Sequence, residues 1–352
     1  MTAPIKVFLI DDSAVMRQTM AYLLKDVPGI EWLGSAPNPL IAQRSLQQLR
    51  PDVLLLDIEM PGMDGLTFLR RQMGSDPIPT VICSSLSQQG SKVALEALAA
   101  GALSVVAKPR LGLKQFLETS RAELITALLE ASRARPRLRT LPRPIEGEAK
   151  RPLPSPGLHA FAVNKPVVIG SSTGGTQALE QILTALPSDA PGIAITQHMP
   201  EKFTAMYAER MNQSCAVNVR EARDGDRLER GLVLIAPGGR HMRLRKAAGQ
   251  YYAVVSDGPA VNRHRPSVDV LFKSTAECAG RDALGLLLTG MGDDGARGLK
   301  LMHDAGARTI AQNEASCVVF GMPCEAIKLG AADDVLHLDQ MAGAILQFDA
   351  RG

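Results

Sequence analysis

The stretch Val167-Val-Ile-Gly-Ser-Ser-Thr-Gly-Gly-Thr176 decides how the second half of this chain folds. Its first three residues are β-branched and apolar, as in a buried strand, and a helical pattern follows the glycines. Gly170, Ser172 and Gly174 have the Gly-x-Ser-x-Gly spacing, which lifts the serine above a sheet on a tight turn between strand and helix. We therefore predict a strand-turn-helix unit in which Ser172 is the nucleophile and Ser171 its competitor.

A glycine-rich turn before a helix is also suited to phosphate binding. This turn lacks the Gly-Lys-Ser/Thr ending of a P-loop and the complete G-x-G-x-x-G fingerprint. The next predicted strand ends in Gln197-His198 and not in an acid that would bind a ribose. The hydrolase interpretation is therefore preferred, and a nucleotide-binding module, which predicts stabilisation by nucleotide, is the alternative.

A serine hydroxyl needs a base within hydrogen-bond reach and a third group that orients the base. His198 ends the predicted strand 192–197, and Asp294 lies in the turn after the predicted strand 283–289. Because the carboxyl ends of parallel strands meet at one edge of a sheet, we expect Ser172, His198 and Asp294 to converge there. Rival candidates stay open at this point: His241 and His264 for the base, and Asp293 and Asp269 for the carboxylate.

Both halves alternate apolar runs with helical patterns, which predicts α/β folds with parallel sheets. The predicted strands of the first half are residues 7–10, 53–56, 80–83, 104–106 and, less clearly, 31–35, and its predicted helices are residues 13–25, 42–49, 66–73, 92–99 and 114–129. The predicted strands of the second half are residues 167–169, 192–197, 232–236, 252–255 and 283–289. We expect a domain over residues 1–130 and a second domain over residues 165–349.

Carboxylates and a lysine follow the predicted strands of the first half. Asp11 and Asp12 close the first strand, Asp57 closes the third, Ser84 follows the fourth and Lys108 the last. Three close carboxylates need a hard divalent cation with oxygen ligands, and we predict that it is Mg²⁺. With that metal and the Lys108 cation, Asp57 can accept a phosphoryl group, and Ser84 can donate its hydroxyl to the phosphate. The alternative is that Asp12 caps a helix and Asp57 sits in a turn.

The composition excludes several classes of protein. The 352 residues are 45% apolar, which suits two ordinary cores and excludes a fully disordered chain. Residues 131–164 form a predicted Pro/Arg-rich linker, and residues 132–165 hold eight basic and two acidic residues, so neither folded half is basic. We expect no nucleic-acid partner and no membrane insertion. The five cysteines have no disulfide or zinc spacing, which favours a cytoplasmic location.

Residues 5–129 resemble a response-regulator receiver domain. The resemblance implies a flavodoxin-like (βα)5 fold, phosphorylation of Asp57 by a histidine kinase, Mg²⁺ held by Asp11, Asp12 and Asp57, and a cis bond before Pro109. Val105 departs from the pattern, because many receivers have an aromatic switch residue there. The motifs that carry the resemblance are Asp11-Asp12, Asp57, Met60-Pro61-Gly62-Met63-Asp64-Gly65, Ser84 and Lys108-Pro109.

Residues 165–347 resemble the catalytic domain of the chemotaxis protein-glutamate methylesterase family, CheB. The motifs are Gly170-Ser-Ser-Thr-Gly-Gly175, Thr196-Gln-His-Met-Pro200, His264-Arg-Pro-Ser-Val-Asp-Val-Leu-Phe272, Leu288-Thr-Gly-Met-Gly-Asp-Asp-Gly295 and Ala311-Gln-Asn-Glu-Ala-Ser-Cys-Val-Val-Phe-Gly-Met-Pro323. The resemblance implies a doubly wound α/β hydrolase-type domain of Rossmann-like style that needs no cofactor. Its triad falls on Ser172, His198 and Asp294, with an oxyanion hole formed by the backbone amides of Thr173 and Met291.

The same resemblance implies a substrate and a mode of control. The substrate is a glutamate γ-methyl ester on a methyl-accepting chemoreceptor, with deamidation of receptor glutamines as a related reaction. A chemotaxis histidine kinase is the phosphodonor, and in the family the unphosphorylated receiver covers the hydrolase site. A response-regulator transcription factor would share the first half, but the second half has no helix-turn-helix pattern.

Overall fold

The structure is a computed structural model that describes residues 3–60, 65–85, 88–108, 114–138, 165–201 and 203–350. The chain divides into two compact units, residues 1–143 and residues 144–352. In the described parts of the chain, no helix is long and apolar enough to cross a bilayer. All five cysteines are free thiols, as their spacing predicted.

The first unit is built on a parallel sheet with the strand order β2-β1-β3-β4-β5 over its described residues. This is the flavodoxin-like order, and it confirms the predicted fold of the first half. The strands are β1 (Ile5–Ile10), β2 (Ile30–Ala36), β3 (Val53–Asp57), β4 (Thr80–Ser84) and β5 (Ser104–Ala107), and the helices are α1 (Ala14–Leu24), α2 (Pro39–Leu49), α3 (Gly65–Ser75), α4 (Gln88–Ala99) and α5 (Lys114–Leu138).

The burial of these strands explains which of them the sequence predicts most clearly. Every residue of β3 and β4 is buried, because helices cover both faces of a parallel sheet, and each reads as a continuous apolar run ending in a polar residue. Strand β2 lies at the edge of the sheet and is only partly buried. Its apolar signal is therefore weaker, although the strand is present as predicted.

Helix α5 extends further than predicted. The prediction ended the helix at residue 129 and began an irregular linker at residue 131, whereas α5 continues to Leu138. Ala131 and Ala134 are fully buried, so the burial of apolar side chains favours the continued helix. Pro136 lies in the last turn, where its missing N–H removes a single helical hydrogen bond. The rest of the predicted linker, residues 139–164, lies outside the described residues.

The second unit contains two sheets. In its described residues a seven-stranded parallel sheet has the order β15-β14-β13-β6-β7-β10-β8, and a three-stranded antiparallel sheet has the order β11-β12-β9. The strands are β6 (Val167–Ser171), β7 (Ile193–Gln197), β8 (Asn218–Glu221), β9 (Arg227–Leu228), β10 (Leu232–Ile235), β11 (His241–Ala247), β12 (Gln250–Ser256), β13 (Leu284–Leu287), β14 (Arg308–Gln312) and β15 (Asp334–Leu336). The parallel sheet confirms the predicted fold class of the second half.

The helices of this unit are α6 (Gly175–Leu183), α7 (Phe203–Ser214), α8 (Val268–Ala279), α9 (Ala296–Asp304), α10 (Met322–Lys328) and α11 (Met341–Ala350). Four of them, α6, α7, α9 and α10, connect consecutive strands of the parallel sheet. The two exceptions are α8, which follows β12 of the antiparallel sheet, and α11, which follows the last strand. The predicted strand 252–255 does not belong to the parallel sheet; it forms part of β12, whose alternating burial is typical of an antiparallel strand with one covered face. Strands β8, β9, β11, β14 and β15 were not predicted, since they are short or rich in polar residues.

Candidate active site

Three neighbouring strands bring the predicted catalytic residues to one edge of the parallel sheet. Strand β6 lies between β13 and β7, and Ser171 is paired with Gln197 across β6 and β7. Ser172 and His198 each follow directly after one of these paired residues, and the backbone N–H of His198 donates to the Ser171 carbonyl at 3.0 Å. The candidate nucleophile Ser172 and the candidate base His198 therefore leave the sheet from neighbouring strands.

Ser172 lies in the turn between β6 and α6. Gly174 caps the helix with a φ of 78°, a left-handed conformation that glycine adopts without strain. The Ser172 N–H donates to the Thr289 carbonyl at 3.0 Å, which ties the turn to the end of β13. Ser171, the competing nucleophile, is fully buried, and its hydroxyl is bonded to Gln197 Oε1 at 2.6 Å. Of the two serines, Ser172 is the one whose hydroxyl no described residue holds.

The His198 ring is oriented by a carboxylate. Its Nε2 lies 2.8 Å from Asp294 Oδ2, and both side chains are buried. The other ring nitrogen, Nδ1, is also buried, and no described residue is its hydrogen-bond partner. Because the ionised carboxylate accepts only, Nε2 carries the proton in the neutral ring. Nδ1 is then the nitrogen that can take a proton from a nucleophile.

Asp294 accepts hydrogen bonds from a set of donors on the segment between β12 and α8. Its Oδ1 accepts from Asn262 Nδ2 at 2.8 Å and Ser267 Oγ at 2.7 Å, and its Oδ2 accepts from the Val268 N–H at 2.7 Å. Burial alone would raise the pKa of Asp294, but the hydrogen bond from His198, the attraction of a protonated His198 ring, and the bonds from Asn262 and Ser267 hold it well below its usual range. The carboxylate is therefore ionised at neutral pH.

The rival histidines have other surroundings. His241 is buried, its Nε2 donates to the Pro259 carbonyl at 2.8 Å and its Nδ1 accepts from the Ser267 N–H, so both ring nitrogens are occupied. His264 stacks on His198 with ring centroids 3.7 Å apart and planes 5° apart. Burial, with the neighbouring His198, lowers the pKa of His264 to about 3, so the stacked ring is neutral.

The rival carboxylates also differ from Asp294. Asp293 is half exposed, and its ion-pair partner Arg297 lies 3.8 Å away. Asp269 accepts from the N–H groups of Gly295 and Gly298 at the start of α9, at 3.0 and 2.6 Å, which is the bonding of a helix cap supplied from another segment. Of these three aspartates, Asp294 is the one that is bonded to His198, the residue after β7, in the described part of the chain.

Gly290, the residue before Met291, packs closely against the candidate nucleophile Ser172. A Cβ on Gly290 would lie 2.7 Å from Ser172 Cβ and 2.3 Å from Met322 Sδ, a space that only glycine leaves open. On the other side, Thr289 Oγ1 donates to the Thr173 carbonyl at 3.0 Å. The two residues expected to form the oxyanion hole, Thr173 and Met291, thus belong to segments that flank Ser172.

Sequence reasoning missed the partners that surround the triad candidates. Asn262 and Ser267 bind Asp294, Thr289 holds the turn of Ser172, and Gln197 contacts the backbone of both Ser172 and His198. The sequence offered one signal: Asn262 and Ser267 lie in or beside the motif that includes His264. Nothing in the spacing shows that this motif wraps around a carboxylate on another strand end.

The first unit has a second cluster of charges at the carboxyl ends of its strands. One carboxylate oxygen from each of Asp11, Asp12 and Asp57 lies within 4.8 Å of the other two. Lys108 Nζ lies 2.6 Å from Asp57 Oδ2 and 3.4 Å from Asp11 Oδ2. Ser84, buried at the end of the neighbouring strand, donates to the Ser85 carbonyl at 3.2 Å. The five predicted residues therefore end neighbouring strands of one sheet.

This acidic cluster suits a hard divalent cation. Burial and the Asp57 charge raise the pKa of Asp11 although Lys108 opposes them. The buried Asp11 Oδ2 has the ion pair with Lys108 at 3.4 Å but accepts no well-formed hydrogen bond from a described residue. Asp12 is exposed and does not cap α1, because Ser13 is the cap and accepts from the Met16 N–H. The expected cis bond before Pro109 lies outside the described residues.

Comparison with known proteins finds a matching family for each of the two units. The family model described as CheB methylesterase matches residues 167–345, and the one described as response regulator receiver domain matches residues 7–119. A protein-glutamate methylesterase/protein-glutamine glutaminase 2 of Dechloromonas aromatica is 54% identical over 99% of both chains. A protein-glutamate methylesterase/protein-glutamine glutaminase 1 of Chromobacterium violaceum is 51% identical over 96% of this chain and 97% of that protein.

A solved structure agrees with these matches. The CheB methylesterase catalytic domain of Thermotoga maritima covers 52% of this chain and 98% of its own, at 37% identity and a TM-score of 0.51. Since the methylesterase family accounts for residues 167–345, the alternatives of a transcription factor and a nucleotide-binding module lose their support. The chain belongs to the CheB methylesterase family and begins with a response regulator receiver domain.

Proposed function

We propose that this chain is a phosphorylation-controlled serine esterase that hydrolyses glutamate γ-methyl esters of methyl-accepting chemoreceptors, releasing glutamate and methanol, and thereby controls chemotactic adaptation. The observation that carries the proposal is the buried pair of His198 Nε2 and Asp294 Oδ2 at 2.8 Å, beside a turn that presents Ser172. The names of the relatives support the same reaction and add protein-glutamine glutaminase activity.

The reaction follows from the chemistry of these groups. Ser172 Oγ attacks the ester carbonyl while His198 Nδ1 takes its proton, and Asp294 stabilises the imidazolium that forms. Backbone amides of Thr173 and Met291 bind the negative oxygen of the tetrahedral intermediate. His198 then gives the proton to the leaving methoxy group, methanol departs, and water attacks the acyl-enzyme with His198 again as the base. A glutamine side chain would react in the same way and release ammonia.

The control site is Asp57 in the first unit. Its carboxylate would accept a phosphoryl group from a chemotaxis histidine kinase, with Lys108 as the fixed cation beside it. Asp11, Asp12 and Asp57 would hold Mg²⁺, which when bound supplies charge to offset the phosphoryl oxygens. Ser84 would bind one phosphoryl oxygen through its hydroxyl. These assignments rest on the cluster geometry and on the receiver family match.

Replacing Ser172 by alanine tests the esterase. We expect Ser172→Ala to abolish methanol release from methylated receptor membranes, because the proposed nucleophilic oxygen is gone and the neighbouring hydroxyl, that of Ser171, is bonded to Gln197 Oε1. The fold should persist, since a nearly buried serine hydroxyl without a partner adds little packing. Ser171→Ala is the matched control in the neighbouring position. Methanol release by Ser172→Ala at more than one-tenth of the wild-type rate would move the nucleophile elsewhere.

Replacing Asp57 by alanine tests the control. We expect Asp57→Ala to keep basal methanol release and to lose its stimulation by a small-molecule phosphodonor, because the acceptor carboxylate is gone. Radiolabelled phosphodonor measures the phosphorylation directly. Asp52→Ala, just before the same strand, is the control and should stay responsive, because the Asp52 carboxylate accepts from the Lys6 N–H at 2.9 Å and does not belong to the acidic cluster. Stimulation of Asp57→Ala to the wild-type level would contradict control through this residue.

A further inference from the structure

We infer that Gln197 is a positioning residue that holds the peptide unit between Ser172 and Thr173 and so aims the Thr173 N–H at the oxyanion. Gln197 is the last residue of β7 and only 3% exposed. Its Nε2 donates to the carbonyl oxygens of both Ser172 and His198, at 3.0 Å each, and its Oε1 accepts from Ser171 Oγ at 2.6 Å. One side chain thus contacts the backbone of the nucleophile and of the base. The inference rests on the proposed esterase function.

The orientation of the Gln197 amide is determined by its partners. The two carbonyl oxygens of Ser172 and His198 can only accept, so the NH₂ group must face them and uses both of its hydrogens. The amide oxygen therefore faces Ser171, whose hydroxyl donates to it. This gives Ser171, the serine next to the nucleophile, a defined partner away from the substrate.

The consequence for the oxyanion follows from the planarity of the peptide bond. The Ser172 carbonyl and the Thr173 N–H belong to one trans peptide unit, so they point in opposite directions. The Ser172 carbonyl accepts two hydrogen bonds, from the Gly175 N–H at 2.7 Å and from Gln197 Nε2 at 3.0 Å. Two donors on the carbonyl fix the direction of the N–H. They also polarise the peptide unit, which makes the N–H a stronger donor. A donor fixed in advance is the kind that lowers the barrier of acyl transfer.

The residue at position 175 supports this arrangement independently. Gly175 is the first residue of α6 and does not have a left-handed φ, so its backbone does not require glycine. A Cβ there would lie 2.2 Å from Gln197 Oε1 and 2.7 Å from Ser171 Cβ. The glycine leaves the space that the Gln197 and Ser171 side chains occupy. An alanine at this position would push the Gln197 amide away from the Ser172 carbonyl.

The test uses the full chain with methylated receptor membranes and a phosphodonor. Gln197→Met has a similar volume and removes the amide. We expect its kcat for methanol release to fall about 10- to 100-fold, less than or equal to the loss of a whole oxyanion donor, with KM within about twofold. Ser171→Ala removes only the bond to Oε1, and its loss in kcat should be less than one-tenth of that of Gln197→Met. Gln197→Asn, which keeps a polar amide but is one methylene too short to reach the Ser172 carbonyl, should behave like Gln197→Met.

The outcomes separate the inference from the function on which it rests. A wild-type protein that releases no methanol would remove the proposed function itself. An active wild type with a Gln197→Met kcat within twofold of it would overturn the role of Gln197. A rise in KM at unchanged kcat would also overturn it, because that pattern belongs to substrate binding. If Gln197→Met does not fold, as judged from its melting temperature, the same limits apply to Gln197→Asn.

Discussion

Replacing Asp294 by asparagine would change a carboxylate that accepts from five donors into an amide with one acceptor oxygen. If the new NH₂ group takes the place of Oδ1, it faces two fixed donors, Asn262 Nδ2 and the Asp269 N–H. If it takes the place of Oδ2, it faces one fixed donor, the Val268 N–H, and the His198 ring. The second orientation is favoured, because the ring can exchange its proton between nitrogens.

That orientation predicts the size of both effects. The amide donates to His198 Nε2, so the ring proton moves to Nδ1, and this nitrogen, which is proposed to take the Ser172 proton, can no longer act as a base. A tautomer fault of this kind lowers kcat by about 10⁴ in serine proteases, and we expect a fall of about 10³- to 10⁴-fold. The buried Val268 N–H also loses its acceptor, which costs about 1–3 kcal/mol of the free energy of unfolding.

The assay is methanol release from methylated receptor membranes, with urea denaturation of the same preparations. Asp293→Asn is the matched control, because Asp293 is adjacent in sequence, half exposed and 3.8 Å from its ion-pair partner Arg297. We expect the control to keep wild-type activity and to change stability by less than about 0.5 kcal/mol. If Asp294→Asn kept more than one-tenth of the wild-type kcat while Asp293→Asn lost it, the orienting carboxylate would be Asp293 and the reasoning above would be refuted.

Two further predictions concern the groups around the triad. The pKa of His264 is lowered to about 3 from its ordinary value of 6.5, so the unfolded chain takes up a proton between pH 6.5 and pH 5 and the folded one does not. Stability from this group is therefore lost as the pH falls, by up to about 1.5 kcal/mol over that interval. Urea titrations at pH 6.5 and at pH 5 measure the change in the free energy of unfolding between these two values, and His264→Gln should show a smaller change than the wild type. An equal change in both proteins would contradict the lowered pKa of His264. Asn262 has a φ of 50° and bridges Asp269 and Asp294, at 2.6 and 2.8 Å. Asn262→Gly, which tolerates this φ, should lower kcat by about tenfold. Asn262→Asp adds a carboxylate between two others and should lower kcat further. If Asn262→Asp were as active as the wild type, the hydrogen bonds of Asn262 to Asp269 and Asp294 would not matter for the reaction.

Local patterns were sufficient for the fold classes and for most of the candidate residues. Parallel strands buried on both faces read as short apolar runs, and the polar residue that ends each run marks the edge where ligands bind. Asp57 and Ser84 were found in this way, because each is the last residue of its strand, and Ser172 was found from the glycine spacing of the turn after β6. The extension of α5 to Leu138 was missed, since its cause is the burial of Ala131 and Ala134 and not a local signal.

By itself, therefore, the sequence determined that this chain has two α/β domains, an acidic cluster suited to phosphorylation and a serine on a glycine-rich turn. Its family motifs named a triad that residue spacing alone left open among three histidines and three carboxylates. Only the tertiary structure decided which of these groups meet: His198 bonds to Asp294, while His241 and Asp269 bond elsewhere. The physical reason is that these contacts join residues 18 to 96 positions apart. Strand order and loop paths create such contacts, and no local periodicity encodes them.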